Sequence, residues 1–375
     1  MNYAELWDEL SKGITHFTAG NMVMMAVGGI LIALAVLKEY EPVLLLPIGF
    51  GCVLANMPLT GMNEADGLFG VLYAAGIKTE LFPLLIFIGV GAMIDFSPLL
   101  AMPRMVLLGA AGQFGIFGTL ILATLLGFSI NEAASIGVIG AIDGPTSIFV
   151  ATKLAPNLLA PIAVAAYSYM SLIPIIQPPL IRLLTTPAER RIQMPYTPRP
   201  VSPRTLVVFP IGVTVVVGLL VPDATPLISM LMLGNLLRES HVVDRLSKAV
   251  QNELINVTTL FLGITIGSTM VASKFLEVDT LLILVLGLIA FVLDTVAGLL
   301  FGKLLSRVTG GKINPIIGAA GISAFPMAGR LAAQIAQEED PDNYILMHAM
   351  GANTAGQLGS VMAGGILLAL VTGVL

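Results

Sequence analysis

A lone acidic residue, Asp143, lies in the centre of the segment AIDGPTS at residues 141–147, within an otherwise apolar region. Burying a charged side chain at membrane depth costs roughly 3 kcal/mol or more, so such a residue usually has a partner or a function. Pro145 removes a backbone donor and Gly144 loosens the chain, which leaves nearby carbonyl oxygens able to face a cation. With the two hydroxyl side chains that follow, the segment offers an all-oxygen ligand set that suits a hard cation.

A second irregular stretch, NPIIGAAGISAFPMAGR, begins at Asn314 and ends at Arg330. Asn314, Ser323 and the carbonyls loosened around Gly318 would complete a sodium-sized cage, and Arg330 would supply positive charge for an anionic substrate. Close helix packing explains the Gly and Ala residues but not these polar side chains. The simpler alternative is that Asp143 and Arg330 form a buried ion pair that pins the two halves of the chain together.

Polar residues also interrupt the apolar segments that follow these two stretches. Tyr169 would donate a proton or a hydrogen bond to a carboxylated substrate, although an ordinary interfacial tyrosine explains it equally well. Asn353 and Gln357 are four residues apart, so they share one face of a helix. Asp95 and Asp294 are candidate relay carboxylates, and for Asp95 a structural pair or a helix-end position is the default interpretation.

The elements that must position these residues are membrane helices. Hydrophobic residues make up 56% of the chain and charged residues 11%, whereas soluble domains carry about 25% charged residues. Apolar runs long enough to span a bilayer recur along the whole sequence. We therefore predict an all-α polytopic membrane protein with ten spans, at residues 21–37, 42–58, 82–101, 105–127, 158–182, 206–221, 225–240, 257–276, 281–305 and 344–371.

Several functional classes are excluded by the same sequence. The formal net charge of −5 leaves no basic face for nucleic acid. The single cysteine, Cys52, rules out an internal disulfide, and the three histidines are too far apart to form a ligand cluster. The sequence contains no phosphate-binding GxxxxGK(S/T) motif, no biotin-attachment Met-Lys-Met, and no zinc or flavin motif. Energy and any prosthetic group must therefore come from elsewhere.

The two halves of the chain resemble each other. The segment SINEAASIGVIGAIDGPTS at residues 129–147 aligns with KINPIIGAAGISAFPMAGR at residues 312–330, and weaker matches occur in the same order. The only long hydrophilic break is rich in Pro and Arg and predicts a linker. The predicted units are an interfacial N-terminal helix at 1–20, a first repeat at 21–184, a cytoplasmic linker at 185–205 and a second repeat at 206–375.

The distribution of positive charge predicts the orientation of the chain. Cytoplasmic loops are enriched in Lys and Arg. We take the polar stretches 130–153 and 313–337 as re-entrant and the N-terminus as outside. Outside loops then carry only Lys12, Lys78 and Lys274. With five crossings each, the halves are inverted repeats whose broken helices meet near mid-membrane, as in secondary transporters. The cytoplasmic positive residues are Lys38, Arg104, Arg182, Arg190, Arg191, Arg199, Arg204, Arg238, Arg245, Lys248, Lys303, Arg307 and Lys312.

Several of these stretches resemble the beta subunit of the sodium-translocating, biotin-dependent decarboxylases, the oxaloacetate, glutaconyl-CoA, methylmalonyl-CoA and malonate systems. The likeness covers nearly the whole chain, and small departures such as Ile142 and the Asn353 region leave the ion site intact. The motifs that carry it are KEYEPVLLLPIGFG (38–51), GVGAMIDFSPLL (89–100), GAIDGPTSIF (140–149), NPIIGAAGISAFPMAGR (314–330) and MHAMGANTAGQLGSVMAGG (347–365).

This resemblance implies a mechanism and assigns roles to residues. Carboxybiotin is decarboxylated at the membrane subunit while sodium leaves the cell and a proton is consumed from outside. The resemblance implies that Asp143, Tyr169 and Arg330 are catalytic and that Arg330 and Ser323 bind the carboxybiotin end. Sodium would be held by Asp143, Asn314, Gly318, Ser323, Tyr169 and Asn353.

The resemblance also implies the setting of the protein. The chain would be a multi-pass protein of the cell inner membrane, in contact with lipid, with sodium ion and partner-borne biotin as cofactors. Its partners would be a carboxyltransferase subunit, a biotin-carrier subunit and a small single-span membrane subunit. Assembly of this chain with further copies of itself, as a homo-oligomer, is a further option. The alternative function is a stand-alone sodium-coupled carboxylate transporter, in which the same residues bind ion and anion without covalent chemistry.

Overall fold

The computed structural model of the chain describes residues 3–195 and 200–373, and this part of the chain is helical, without a β-strand. The predicted domain boundaries lie within it, while Arg199 and the rest of 196–199, the first two residues and the last two lie outside it. The helices are α1 (Tyr3–Thr15), α2 (Ala19–Lys38), α3 (Pro42–Ala55), α4 (Leu68–Leu72), α5 (Leu81–Met93), α6 (Ser97–Ala101), α7 (Met105–Ala111), α8 (Phe114–Leu125), α9 (Ile130–Gly137), α10 (Gly144–Leu154), α11 (Leu159–Ser171), α12 (Ile173–Leu184), α13 (Pro187–Arg190), α14 (Pro203–Leu220), α15 (Thr225–Glu239), α16 (Asp244–Ala249), α17 (Ile255–Ser268), α18 (Ala272–Phe275), α19 (Val278–Val308), α20 (Met327–Glu339) and α21 (Leu346–Thr372).

Five helical segments are long and apolar enough to cross a membrane, and two bent helix pairs raise the number to seven if each pair is one span. The all-helical polytopic membrane fold predicted from the sequence is therefore confirmed at this level. The five segments are Ala19–Lys38, Met105–Leu125, Pro203–Leu220, Val278–Val308 and Leu346–Thr372, and the bent pairs are Leu68–Ile77 with Leu81–Met93 and Pro156–Met170 with Ile173–Leu184.

Several of the ten predicted spans form helices shorter than an upright crossing needs, and three of these helices belong neither to the five long segments nor to the two bent pairs. Helices α3, α15 and α17 have 14, 15 and 14 residues, whereas a span takes roughly 20. For α3, a contact at its end accounts for the short length: the buried Asn56 amide donates to the carbonyls of Cys52 and Met270, at 2.8 Å each. A polar side chain thus ends the helix within an apolar run and ties it to the end of α17.

Close backbone contacts hold a first group of helices together, made of α2, α3, α5, α15 and α17. A β-carbon at Gly51 of α3 would lie 2.4 Å from the Ile264 carbonyl of α17. A β-carbon at Gly91 of α5 would lie 1.8 Å from the Leu231 carbonyl of α15. Because lipid tails are as apolar as leucine, such close packing, rather than a hydrophobic driving force, associates helices in a membrane.

The second group contains α7 to α12 and α19 to α21, and it encloses the two irregular stretches. In the first stretch, a 3₁₀ turn at Val138–Ala141 separates α9 from α10, and in the second a 3₁₀ segment at Pro315–Gly321 precedes α20. Backbone groups released from α-helical bonding need new partners away from water. The amides of Gln177 and Asn353 supply them, donating to the carbonyls of Ala319 at 2.8 Å and Ile322 at 2.7 Å.

Candidate functional site

A cavity of about 240 Å³ lies where the two helix groups meet. Both irregular stretches reach it, together with α3, α5, α11, α17 and α21. Every Lys, Arg and His of the described part of the chain lies outside its lining, whereas two carboxylates are part of it. The polar or irregular residues that line it are Glu41, Asp143, Gly144, Pro145, Tyr167, Asn256, Thr259, Ser323 and Gln357.

The backbone on either side of Asp143 is irregular. Ile142 has a φ of +52°, which is a strained conformation for a β-branched residue. Asp143 itself is extended, and α10 begins at Gly144 with Pro145 in its first turn. Proline is favoured there because its missing amide hydrogen is not needed in the first turn of a helix. The interruption between the 3₁₀ turn and α10 therefore places the Asp143 carboxylate at the cavity from extended backbone and not from within a helix.

The Asp143 carboxylate is buried among neutral donors. Its side chain is 7% exposed, and Oδ2 accepts from Thr146 Oγ1 at 2.5 Å, from Gln357 Nε2 at 2.9 Å and from Ser360 Oγ at 3.4 Å. Hydrogen bonds partly replace the hydration that a charged group loses on burial, and a positive charge would complete the compensation.

The ion pair between Asp143 and Arg330, the simpler alternative for these two residues, is not formed. Arg330 lies on the first turns of α20, is exposed, and has no ion-pair partner within residues 3–195 and 200–373. It is absent from the cavity lining. The guanidinium is therefore available to an anion that approaches from outside the cavity.

The second irregular stretch contributes Ser323 to the cavity. Its hydroxyl donates to the Gly356 carbonyl of α21 at 3.0 Å, which leaves the oxygen lone pairs for another group. Asn353 lies beside this contact, and its amide nitrogen is bonded to Ile322. The Asn353 side-chain oxygen is buried and has no hydrogen-bond partner among the described residues.

Asn314 and Gly318 lie away from the cavity lining. The Asn314 amide donates to the carbonyls of Arg190 and Ile192 at 2.9 Å each, so it holds the end of α13 and the residues that follow it. Gly318 packs against α19, where its missing side chain allows the Gly298 carbonyl to approach. The structure thus brings Asp143, Ser323 and Gln357 together at the cavity. Asn314 and Gly318 instead make structural contacts elsewhere.

Two tyrosines on α11 face different surroundings. Tyr167 lines the cavity, with its ring packed on Gly144, where a β-carbon would lie 2.0 Å from Cζ. The Tyr169 hydroxyl instead donates to the Leu284 carbonyl of α19, and its ring packs on Gly287. Residues two positions apart lie about 200° apart around a helix, so only one of them can face the cavity.

Glu41, Asn256 and Thr259 also line the cavity, and they were not predicted from the sequence. Asn256 and Thr259 are three apart on α17, the spacing of one helix face, and this could have indicated them. Glu41 directly precedes an apolar helix that begins at Pro42. Together with the Asp143 carboxylate, these side chains add polar groups to an otherwise largely apolar lining. Oxygen atoms of such groups are ligands that a small hard cation prefers.

Comparisons with known proteins agree with one another. The family described as the Na⁺-transporting oxaloacetate decarboxylase beta subunit matches residues 20–371. The chain is 54% identical over 362 residues to glutaconyl-CoA decarboxylase subunit beta of Acidaminococcus fermentans, covering 96% of each chain. It is 54% identical to methylmalonyl-CoA decarboxylase subunit beta of Veillonella parvula, covering 96% of each. It is 45% identical to oxaloacetate decarboxylase beta chain 2 of Salmonella typhi, covering 96% of this chain and 97% of the other.

Proposed function

The chain belongs to the beta subunits of the Na⁺-transporting decarboxylases, and from this premise we propose that sodium binding and decarboxylation are coupled in the cavity around Asp143. The protein is the membrane subunit of a sodium-pumping decarboxylase. The observation that carries the proposal is a buried carboxylate, held by three neutral donors, in a cavity where none of the described lining residues offers a counter-charge.

Asp143 is the group that a proton and a sodium ion would compete for. A buried carboxylate without a counter-charge binds a cation or a proton, because either one removes the cost of an isolated charge. When bound, carboxybiotin supplies an N-carboxylate that leaves as CO2 while the ureido nitrogen takes up a proton. Displacement of a proton from Asp143 by sodium would therefore link ion binding to the protonation that decarboxylation requires.

Other residues are proposed to receive the substrate and complete the ion site. Ser323 lies in the same cavity as Asp143 and presents a hydroxyl oxygen, so it suits either the ion or the carboxybiotin end. Arg330 is exposed and without an acidic partner in the described chain, so it suits the incoming carboxylate. Asn314, Gly318, Tyr169 and Asn353 would act indirectly, because their contacts position the linker, α19 and the second irregular stretch.

The larger assembly follows from the same premise. We propose two inverted repeats at 21–184 and 206–375, joined by a cytoplasmic linker at 185–205, after an interfacial helix at 1–20. Support comes from the two irregular stretches, each of which contains a 3₁₀ segment and is followed by a helix that contributes to one cavity. The proposed setting is the cell inner membrane, with a carboxyltransferase subunit, a biotin-carrier subunit with its biotin, and a small single-span subunit as partners.

The test compares Asp143→Asn with the wild type in proteoliposomes that contain the complete decarboxylase complex. We expect both isotopic sodium uptake and decarboxylation to fall by roughly a hundredfold or more, because the competition between proton and sodium is lost. Asp66→Asn is the matched control, since Asp66 is exposed and outside the cavity. Decarboxylation that persists in Asp143→Asn would contradict the proposal, as would sodium uptake driven by a carboxylate gradient without a biotin-bearing partner.

A further inference from the structure

The turn between α2 and α3 brings a second carboxylate to the cavity. It contains two glutamates in the left-handed region, Glu39 with a φ of +55° and Glu41 with a φ of +37°. Residues other than glycine lose roughly 1 kcal/mol or more in this conformation. The two glutamates of this turn differ in their surroundings. Glu39 is exposed, whereas Glu41 is half-buried and lines the cavity with Asp143.

No hydrogen bond or ion pair among the described residues explains the position of the Glu41 side chain. As the residue before α3 it could cap the helix, but no side-chain capping bond is formed there. Within residues 3–195 and 200–373, its carboxylate accepts no hydrogen bond and forms no ion pair. A favourable interaction with the helix dipole is the remaining structural role, and this is worth roughly 0.5 kcal/mol at a half-exposed site.

The surroundings of Glu41 favour a cation. The cavity lining holds two carboxylates and, within the described chain, no basic residue. Asn256 and Thr259 of α17, whose side chains carry oxygen atoms, line the same cavity. A recess with charge of one sign concentrates counter-ions, since the low-dielectric walls focus the field of the fixed charges.

We propose that Glu41 is a recruitment site for sodium, the carboxylate that captures the ion before it reaches Asp143. The inference rests on the proposed function of the cavity and adds a residue to it. Glu41 raises the occupancy of the cavity by sodium, and it takes no part in the chemical step. Its neutralisation therefore weakens the dependence on sodium without lowering the rate at saturating sodium.

The experiment measures decarboxylation by the complete complex against sodium concentration, at constant ionic strength maintained with choline chloride. For Glu41→Gln we expect the half-saturating sodium concentration to rise by roughly five- to tenfold, with the maximal rate within about twofold of wild type. Glu39→Gln is the matched control, because it removes the same charge from the exposed side of the same turn. We expect no change in its sodium dependence.

A second pair of variants separates the effect of losing the Glu41 charge from the effect of disturbing the backbone of the turn. Asp and Asn both tolerate the left-handed region, so Glu41→Asp and Glu41→Asn differ only in charge. We expect the sodium dependence of Glu41→Asp to remain close to wild type and that of Glu41→Asn to shift as in Glu41→Gln.

Three results would overturn the inference: an unchanged sodium dependence in the neutral variants, an equal shift in Glu39→Gln, or a lower maximal rate without a shift. Failure of the proposed function looks different, because Asp143→Asn would then remain active whatever the Glu41 variants do.

Discussion

The hydroxyl groups of Tyr167 and Tyr169 are expected to affect different kinetic parameters. Tyr167 lines the cavity, so Tyr167→Phe should raise the half-saturating sodium concentration. Tyr169 bonds to the Leu284 carbonyl of α19, so Tyr169→Phe should lower the maximal rate by disturbing the position of α11, with an unchanged sodium dependence. Steady-state decarboxylation at varied sodium measures both parameters. A shift in sodium dependence in Tyr169→Phe alone would place the ion next to Tyr169 instead.

At the scale of residues, the sequence predicted which charged side chain is buried at the cavity, but not which groups the polar side chains would hydrogen-bond. Asp143 could be found from sequence because a charge within an apolar region is costly wherever the fold places it. Asn314 could not be assigned, because an amide can serve a cation or a backbone carbonyl, and carbonyl acceptors have no sequence signature. In the structure it serves the carbonyls of Arg190 and Ile192.

At the scale of elements, the close approach of the 3₁₀ segment Pro315–Gly321 to α19 depends on Gly318. A β-carbon there would lie 2.0 Å from the Gly298 carbonyl, and both groups are backbone, so neither can rotate away. We expect Gly318→Ala to lower the free energy of unfolding by roughly 2 kcal/mol or more. Thermal unfolding in detergent measures the effect.

Gly212→Ala is the control for this prediction, because a β-carbon at Gly212 of α14 meets nothing within 4 Å. Alanine has the better helix propensity, so this variant should be at least as stable as wild type. Equal melting temperatures for Gly318→Ala and wild type would contradict the packing argument.

Long apolar helices were predictable, whereas short ones ending within apolar sequence were not. The span at α19 follows from composition alone, because a long apolar run without breaks has one favourable conformation in a membrane. The end of α3 depends on Asn56 finding the Met270 carbonyl, far away in sequence. Such a contact between distant segments has no local signal, and the predicted span 42–58 was therefore too long.

At the scale of the whole molecule, the end of the first half is fastened to the second half by polar contacts. Arg190 of α13 forms an ion pair with Glu339 at 2.5 Å, and its side chain is 8% exposed. The sequence predicted a linker here from its Pro and Arg content. In the structure, Arg190 in this segment is held to α20 by the ion pair, and its carbonyl accepts further bonds from Asn314 and Asn343.

Arg190→Met should therefore be costly, because it removes one member of a largely buried pair and leaves Glu339 without its partner. We expect a loss of roughly 3 kcal/mol in the free energy of unfolding. Arg182→Met is the matched control, since the Arg182–Glu338 pair is 2.8 Å long but its side chains are 59% and 43% exposed. An exposed pair contributes roughly 0.5 kcal/mol. Melting temperatures of the detergent-solubilised complex should fall for Arg190→Met and not for Arg182→Met, and equal effects would mean that burial does not determine how the halves are held together.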